Sequence, residues 1–182
     1  MRKTYLSPND YQRDIWRLAA KVRASGWKPD FLVGLWRGGA PVAVAVHEFL
    51  KVTGWEVEHL PLKCRSYAAL GCVGDKVSFT FGDSVFALFH PRDRVLFVDD
   101  VFDTGTTAAA VFERAASANI EAKLACVYWK REMNRTSLAP DFVARELGGD
   151  WIVFPHEIEG LESDEVREKD PELASLIDGV EG

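Results

Sequence analysis

Residues 98–107, VDDVFDTGTT, set three carboxylates (Asp99, Asp100, Asp103) and three hydroxyls (Thr104, Thr106, Thr107) around one glycine, Gly105. Three kinds of chemistry suit such a cluster. Carboxylates can hold a hard cation such as magnesium. Amides at a helix start can cradle a phosphate, with glycine letting the backbone come close and threonine hydroxyls adding donors. A polar turn that merely caps a helix is the third reading. The acids would repel a phosphate placed directly on them. The two features agree if the acids face another part of the same ligand, such as ribose hydroxyls or a magnesium ion. Neighbouring strand residues point to opposite faces, so Asp99 and Asp100 need not share one task. No Walker-type lysine follows the glycine, which disfavours a nucleoside triphosphatase.

The cluster needs a scaffold, and the chain alternates helical and strand patterns around it. SPNDYQRDIWRLAAKVRASG opens with Ser7 as N-cap and Pro8 at the first helical position, and Tyr11, Ile15, Leu18 and Val22 recur at helical spacing. FLVGL (31–35) is a short apolar run of the kind buried on both faces. PVAVAVHEFLKVTG (41–54) alternates at Val42, Val44 and Val46, yet its length, alanines and terminal Gly54 favour a helix. Strands are expected at 55–64, 94–100 and 121–129, with a helix over 106–119. This order predicts an α/β fold with a mainly parallel central sheet flanked by helices. Residues 66–90, with Gly71, Gly74 and Gly82 around KVSFTF, read as a flexible hairpin loop. Beyond Arg131, short strands and a terminal helix near 163–177 are expected. The expectation is one domain over 1–182: a core at about 7–130, a small C-terminal hood at about 131–160 and an acidic helix at about 161–182.

Composition narrows the partners. The 182 residues are 47% hydrophobic and 27% charged, with formal net charge −6 and no long basic block, so nucleic acid is not expected. Cys64, Cys72 and Cys126 lack zinc-type spacing and are odd in number, as in reduced thiols. No secretory h-region and no apolar run near ~18 residues is visible. A soluble, cytoplasmic protein without a membrane partner is the expectation.

VLFVDDVFDTGTT resembles the phosphoribosyl pyrophosphate motif of the type I phosphoribosyltransferases: an apolar strand, two acids, two apolar residues, then Asp-Thr-Gly and a further hydroxyl. The resemblance implies that Asp99 and Asp100 engage the ribose 2′- and 3′-hydroxyls, and that Asp103 to Thr107 (Thr104, Gly105, Thr106, Thr107) hold the 5′-phosphate. It also implies displacement of pyrophosphate from ribose C1 by a base nitrogen, with Mg2+ as cofactor. LWRGG (35–39) is similar to the family's pyrophosphate loop, so Trp36, Arg37, Gly38 and Gly39 are assigned there, often around a non-proline cis peptide. Ser66 and Tyr67 resemble the Ser-Tyr pair opening the mobile loop of purine enzymes.

The base follows from residues downstream. In the 6-oxopurine (hypoxanthine or xanthine-guanine) branch, a lysine placed like Lys130 donates to purine O6. GGDWIVFPHE (148–157) resembles that branch's aromatic wall, with Trp151 stacking on the purine and the Ile152 backbone at its edge. Asp103 lies near purine N7 in these enzymes and moves its proton, which makes it the catalytic candidate. Glu157 stands where bacterial xanthine-guanine enzymes carry an aspartate near the metal, and His156 replaces the usual tryptophan. The metal set implied is therefore Asp99, Asp100 and Glu157. The expected activity is purine salvage: hypoxanthine, guanine or xanthine plus phosphoribosyl pyrophosphate giving the nucleoside monophosphate and pyrophosphate, in a homodimer. A non-catalytic sensor of phosphoribosyl pyrophosphate or nucleotide on the same fold, and a transferase for another base, are the alternatives.

Overall fold

A computed structural model describes residues 2–68, 75–80 and 82–180. Along the chain run β1 (Lys3–Tyr5), α1 (Pro8–Ala24), β2 (Phe31–Trp36), α2 (Gly39–Val52), β3 (Glu58–Ala68), β4 (Asp75–Thr80) and α3 (Gly82–Phe86). There follow β5 (Arg94–Phe102), α4 (Thr106–Ser117), β6 (Glu121–Trp129), a 3₁₀ turn at Arg131–Met133, β7 (Phe142–Glu146), β8 (Trp151–Val153), α5 (Ser163–Lys169) and α6 (Pro171–Asp178). The chain divides into two compact units, residues 12–149 and residues 1–11 with 150–182.

The larger unit is built on a six-stranded sheet ordered β4-β3-β2-β5-β6-β7, parallel except for the antiparallel pair β3–β4. The predicted α/β class and mainly parallel sheet are what the chain forms. The inner strands are continuous apolar runs: Leu32, Val33 and Leu35 of β2, Val95 to Val98 of β5 and Leu124 to Tyr128 of β6 are buried, as strands covered on both faces must be. Helix α2 resolves the ambiguity of its alternating valines. Val42, Val46 and Leu50 are buried at four-residue spacing while Val44 is 67% exposed. The hairpin expected in 66–90 is β3–β4, in which Ser66 faces Val77 and Tyr67 faces Lys76 across the ladder.

Strand order matters for function. From β2 the chain steps outward to β3 and β4, and from β5 it steps the other way to β6 and β7. β2 and β5 are thus neighbours at the point where the order reverses, and the crevice beyond their carboxyl ends is where open sheets bind ligands. LWRGG ends β2 and DDVFDTGTT ends β5. Helix α1 is tied to the sheet by a buried carboxylate. Asp14, with its side chain 1% exposed, accepts from Arg17 Nη1 (2.6 Å), Arg145 Nη1 (3.2 Å) and the Tyr128 hydroxyl (3.0 Å).

The smaller unit holds a two-stranded parallel sheet, with Lys3, Thr4 and Tyr5 opposite Trp151, Ile152 and Val153. Strand β1 has no clear pattern in so short a run, and only its partner reveals it. Ser7 acts as the expected cap, its hydroxyl accepting from the Asp10 N–H at 3.1 Å. The single helix expected near 163–177 is two. Asp170 is extended (φ −157°, ψ 101°) and its carboxylate accepts from the N–H groups of Glu172 and Leu173, while Pro171 begins the second helix. An N-cap aspartate followed by proline stops one helix and starts another.

Candidate active site

Asp99 and Asp100 lie near the carboxyl end of strand β5, which runs on to Phe102, and their carboxylates accept from local backbone. Asp99 Oδ1 accepts from the Asp100 N–H (3.0 Å) and Asp100 Oδ1 from the Val101 N–H (2.7 Å). Although Asp99 keeps some open surface, its carboxyl is pushed well above the usual carboxylate range, by burial first and by the neighbouring Asp100 charge second. The groups near it are thiols: Cys126 lies opposite it on β6. Cys64 is pushed up to about 12, chiefly by burial and then by Asp99, and Cys126 is also driven up by burial. Neither thiol is activated, and the ionised form of Asp99, disfavoured by burial and by Asp100, would be complemented by a cation or a hydroxyl donor brought by a ligand.

That placement has a cost in the ligand-free protein. A carboxyl raised in the folded state binds its proton more tightly there than when unfolded, so stability falls as pH rises above the ordinary value of 3.8 toward the raised one. Asp99→Asn is therefore expected to stabilise the ligand-free protein at pH 7.5 by about 1–2 kcal/mol, or ~3–6 °C in Tm for a chain of this size. The gap should narrow as pH is lowered toward 4. Thermal melts of parent and variant across pH check this, and parallel profiles would contradict it.

The helix start beside these acids is open. Gly105 is the N-cap of α4 in the left-handed region (φ 81°, ψ −1°), and among the described residues no side chain caps the helix. Thr104 and Thr106 share a hydroxyl hydrogen bond of 2.9 Å, and Thr106 N–H reaches Thr104 Oγ1 only at 3.5 Å. A cleft of about 80 Å³ at this helix start is lined by Asp99, Asp103 and Thr104 to Thr107, and also by apolar residues such as Leu35, Phe102 and Leu124. The N-terminal end of the helix carries the positive end of its dipole. Ligand pockets usually span ~300–1,000 Å³. This one has room for a phosphate-sized group, not for a whole nucleotide.

The RGG turn meets the acids directly. The Trp36–Arg37 peptide is cis, as the resemblance implied. Trp36 and Arg37 are exposed, Gly38 is half-buried and Gly39 buried. A Cβ on Gly38 would overlap the Asp100 carboxylate, and one on Gly39 would overlap the Val98 carbonyl. Two motifs sixty residues apart are therefore in van der Waals contact, and it is the missing side chains that permit it.

At the next strand end, Lys130 is 7% exposed and its Nζ donates to Asp103 Oδ2 at 3.2 Å. Phe102 and Trp129, the residues before them in sequence, are opposite each other in the β5–β6 ladder. Asp103 Oδ1 is buried and, among the described residues, has no hydrogen-bond partner. A buried unpaired carboxylate oxygen beside a buried ammonium is an incomplete network, and a ligand N–H would complete it.

Other expected residues lie elsewhere. The backbones of Ser66 and Tyr67 end β3, while their side chains and 69–74 are outside the described residues. Trp151, Ile152 and Glu157 belong to the smaller unit. There Trp151 is 38% exposed with Lys3 Nζ 5.6 Å from its ring centroid, and Ile152 is buried. The Glu157 carboxylate turns back to accept from the Phe154 N–H (3.4 Å), and Lys169 donates to the carbonyls of Phe154 (2.8 Å) and Glu157 (2.5 Å). Two residues absent from the sequence reading border the cradle, Asn134 and Thr136. Their Asn-x-Thr pattern is the composition of an ordinary Asx or ST turn, which is why it drew no notice.

Solved structures share this fold. A purine phosphoribosyltransferase from Pyrococcus horikoshii Ot3 is 32% identical, the match covering 89% of this chain and 99% of that one with a TM-score of 0.69. A hypothetical protein from Neisseria gonorrhoeae with bound ppGpp matches over 96% of this chain and 97% of its own, at 21% identity and TM-score 0.76. A hypoxanthine phosphoribosyltransferase from Staphylococcus aureus matches at 18% identity and TM-score 0.63, covering 78% and 74% of the two chains. The latter two share the fold. No family model and no curated protein matches the chain. The chain belongs to the type I phosphoribosyltransferase family, in its purine branch.

Proposed function

We propose that the protein transfers the 5-phosphoribosyl group of phosphoribosyl pyrophosphate to a 6-oxopurine (hypoxanthine, guanine or xanthine), releasing pyrophosphate and the nucleoside monophosphate. The observation that carries this reading is the ion pair of buried Lys130 with the half-exposed Asp103, whose Oδ1 has no partner among the described residues, next to a phosphate-sized cleft at an uncapped helix start. The Thr104–Thr107 amides would hold the 5′-phosphate, Asp99 and Asp100 the ribose hydroxyls, and the Arg37–Gly39 turn the pyrophosphate. The C1–O bond to pyrophosphate breaks with its electron pair, N9 of the base bonds to C1, and the proton on N7 passes to Asp103. Lys130 would donate to the purine O6. Trp151 is assigned to stacking on the base, with the Ile152 backbone at its edge, and Ser66 and Tyr67 to a loop that excludes water.

Magnesium fits the residues present. Among the described residues no cluster of three His, Cys, Asp or Glu could hold a metal. Magnesium commonly binds through one or two carboxylates together with substrate phosphates and water, and the adjacent, hard oxygen donors of Asp99 and Asp100 supply that share. When bound, the ion would neutralise charge developing on the pyrophosphate leaving group. Glu157 stays a proposed further ligand. No helix of the described residues is long and apolar enough to cross a membrane. A homodimer is the proposed assembly, to be read by sedimentation.

The test is nucleotide formation from phosphoribosyl pyrophosphate and each of hypoxanthine, guanine, xanthine, adenine and uracil, with magnesium. Turnover with a 6-oxopurine is expected, and exclusive turnover with another base would defeat the assignment. Asp103→Asn should lower kcat by ~10²–10⁴ with little change in the KM for phosphoribosyl pyrophosphate. The similarity to the Neisseria gonorrhoeae protein with bound ppGpp keeps a second reading, a non-catalytic nucleotide sensor. It prevails if the parent shows no turnover and Asp103→Asn binds nucleotide as the parent does.

A further inference from the structure

The segment after Lys130 follows the cradle closely. The Lys130 N–H donates to the Phe102 carbonyl at 2.9 Å and the Arg135 N–H to the Thr104 carbonyl at 3.0 Å, one pin on each side of Asp103. Between the pins the 3₁₀ turn closes through the Met133 N–H on the Lys130 carbonyl, at 2.9 Å. Asn134 and Thr136 then press on the back of Gly105, where a Cβ would stand 2.6 Å from Thr136 Oγ1 and 2.9 Å from Asn134 Oδ1.

These two side chains are locked to each other. Asn134 Oδ1 accepts from the N–H and from the hydroxyl of Thr136, each at 2.9 Å, and Asn134 Nδ2 donates to the Leu138 carbonyl at 2.8 Å. Thr136 Oγ1 in turn accepts from the Leu138 N–H at 3.2 Å. Four bonds within five residues fix the knot's shape, so what it offers Gly105 is a firm surface. Among the described residues, helix α4 has no side-chain cap to set the direction of its first N–H groups. The left-handed turn at Gly105 instead has its place set from behind.

We infer that Asn134 and Thr136 are positioning residues, which aim the Thr104–Thr107 amides at the 5′-phosphate by supporting the Gly105 backbone. This rests on the phosphoribosyl reading above. Their effect runs through Gly105, so it should fall on the phosphoribosyl substrate and spare the base, because Lys130 is held separately by Asp103 and Phe102.

The test is calorimetric titration with ribose 5-phosphate, alongside steady-state kinetics for both substrates and thermal melts. Thr136→Val and Asn134→Ala are expected to raise the Kd for ribose 5-phosphate and the KM for phosphoribosyl pyrophosphate ~10-fold. The KM for the base should change by less than ~3-fold, and Thr136→Ser, which keeps the hydroxyl, should restore binding to within ~2-fold. Binding by the two variants equal to the parent's overturns the inference alone. So does a loss shared equally by both substrates, in step with lost Tm and not rescued by serine. A parent that binds no ribose 5-phosphate overturns the phosphoribosyl reading and this inference with it.

Discussion

Replacing Gly38 by alanine is expected to lower kcat/KM by ~10²-fold or more while leaving the protein folded. Gly38 has ordinary helical angles (φ −59°, ψ −36°) at the start of α2, so alanine suffers no backbone penalty there. What it lacks is space, because a Cβ would fall on the Asp100 carboxylate. Either Asp100 swings away from its bond to the Val101 N–H, or the RGG turn backs off from the strand end. Both moves separate Asp100, proposed to hold the ribose, from the turn proposed to hold the pyrophosphate, and a displacement at C1 requires those two groups to hold the same substrate at once. Gly148→Ala is the control, since no atom of the described residues lies within 4 Å of a Cβ there. Steady-state kinetics with a thermal melt decide the matter. Unchanged kinetic constants in Gly38→Ala would mean that Asp100 moves freely and the contact is incidental.

Gly38 also shows what a sequence can and cannot disclose. The apolar runs of β2, β5 and β6 announce buried strands because burial on both faces demands uninterrupted hydrophobes. DDVFDTGTT is legible because its acids, glycine and hydroxyls, proposed to serve adjacent parts of one ligand, are adjacent in the chain. The contact of Gly38 with Asp100 is not legible. It depends on β2 and β5 being neighbours, and only the reversal of strand order makes them so. The Lys130–Asp103 pair is half-legible: each residue directly follows a strand, but the 3.2 Å bond requires β5 and β6 in register. Asn134 and Thr136 escape notice because a structural turn and a support for a binding site use the same residue types. Strand β1 escapes for another reason, since three residues are too few for any period to show.

Asp14→Ala is expected to destabilise the protein by about 2–3 kcal/mol, or ~5–10 °C in Tm, with KM values at 25 °C unchanged. The carboxylate is shared by three donors from three elements: Arg17 of α1, Tyr128 of β6 and Arg145 of β7. Breaking a fully buried pair costs ~3–5 kcal/mol because it strands a charge. Here the guanidinium groups are 62% and 51% exposed, so both can turn to water once the acid is gone. Tyr128 is 0% exposed, so no water replaces the bond its hydroxyl gives Asp14, and alanine leaves a cavity beneath α1. The expected cost therefore falls below the full range. Arg145→Ala should then cost under ~1 kcal/mol, and Asp14→Asn, which keeps an oxygen for the tyrosine, about half the alanine loss. Urea denaturation of the three variants separates these expectations. If Arg145→Ala were as damaging as Asp14→Ala, the ion pair and not the buried hydroxyl would be what secures helix α1 to the sheet.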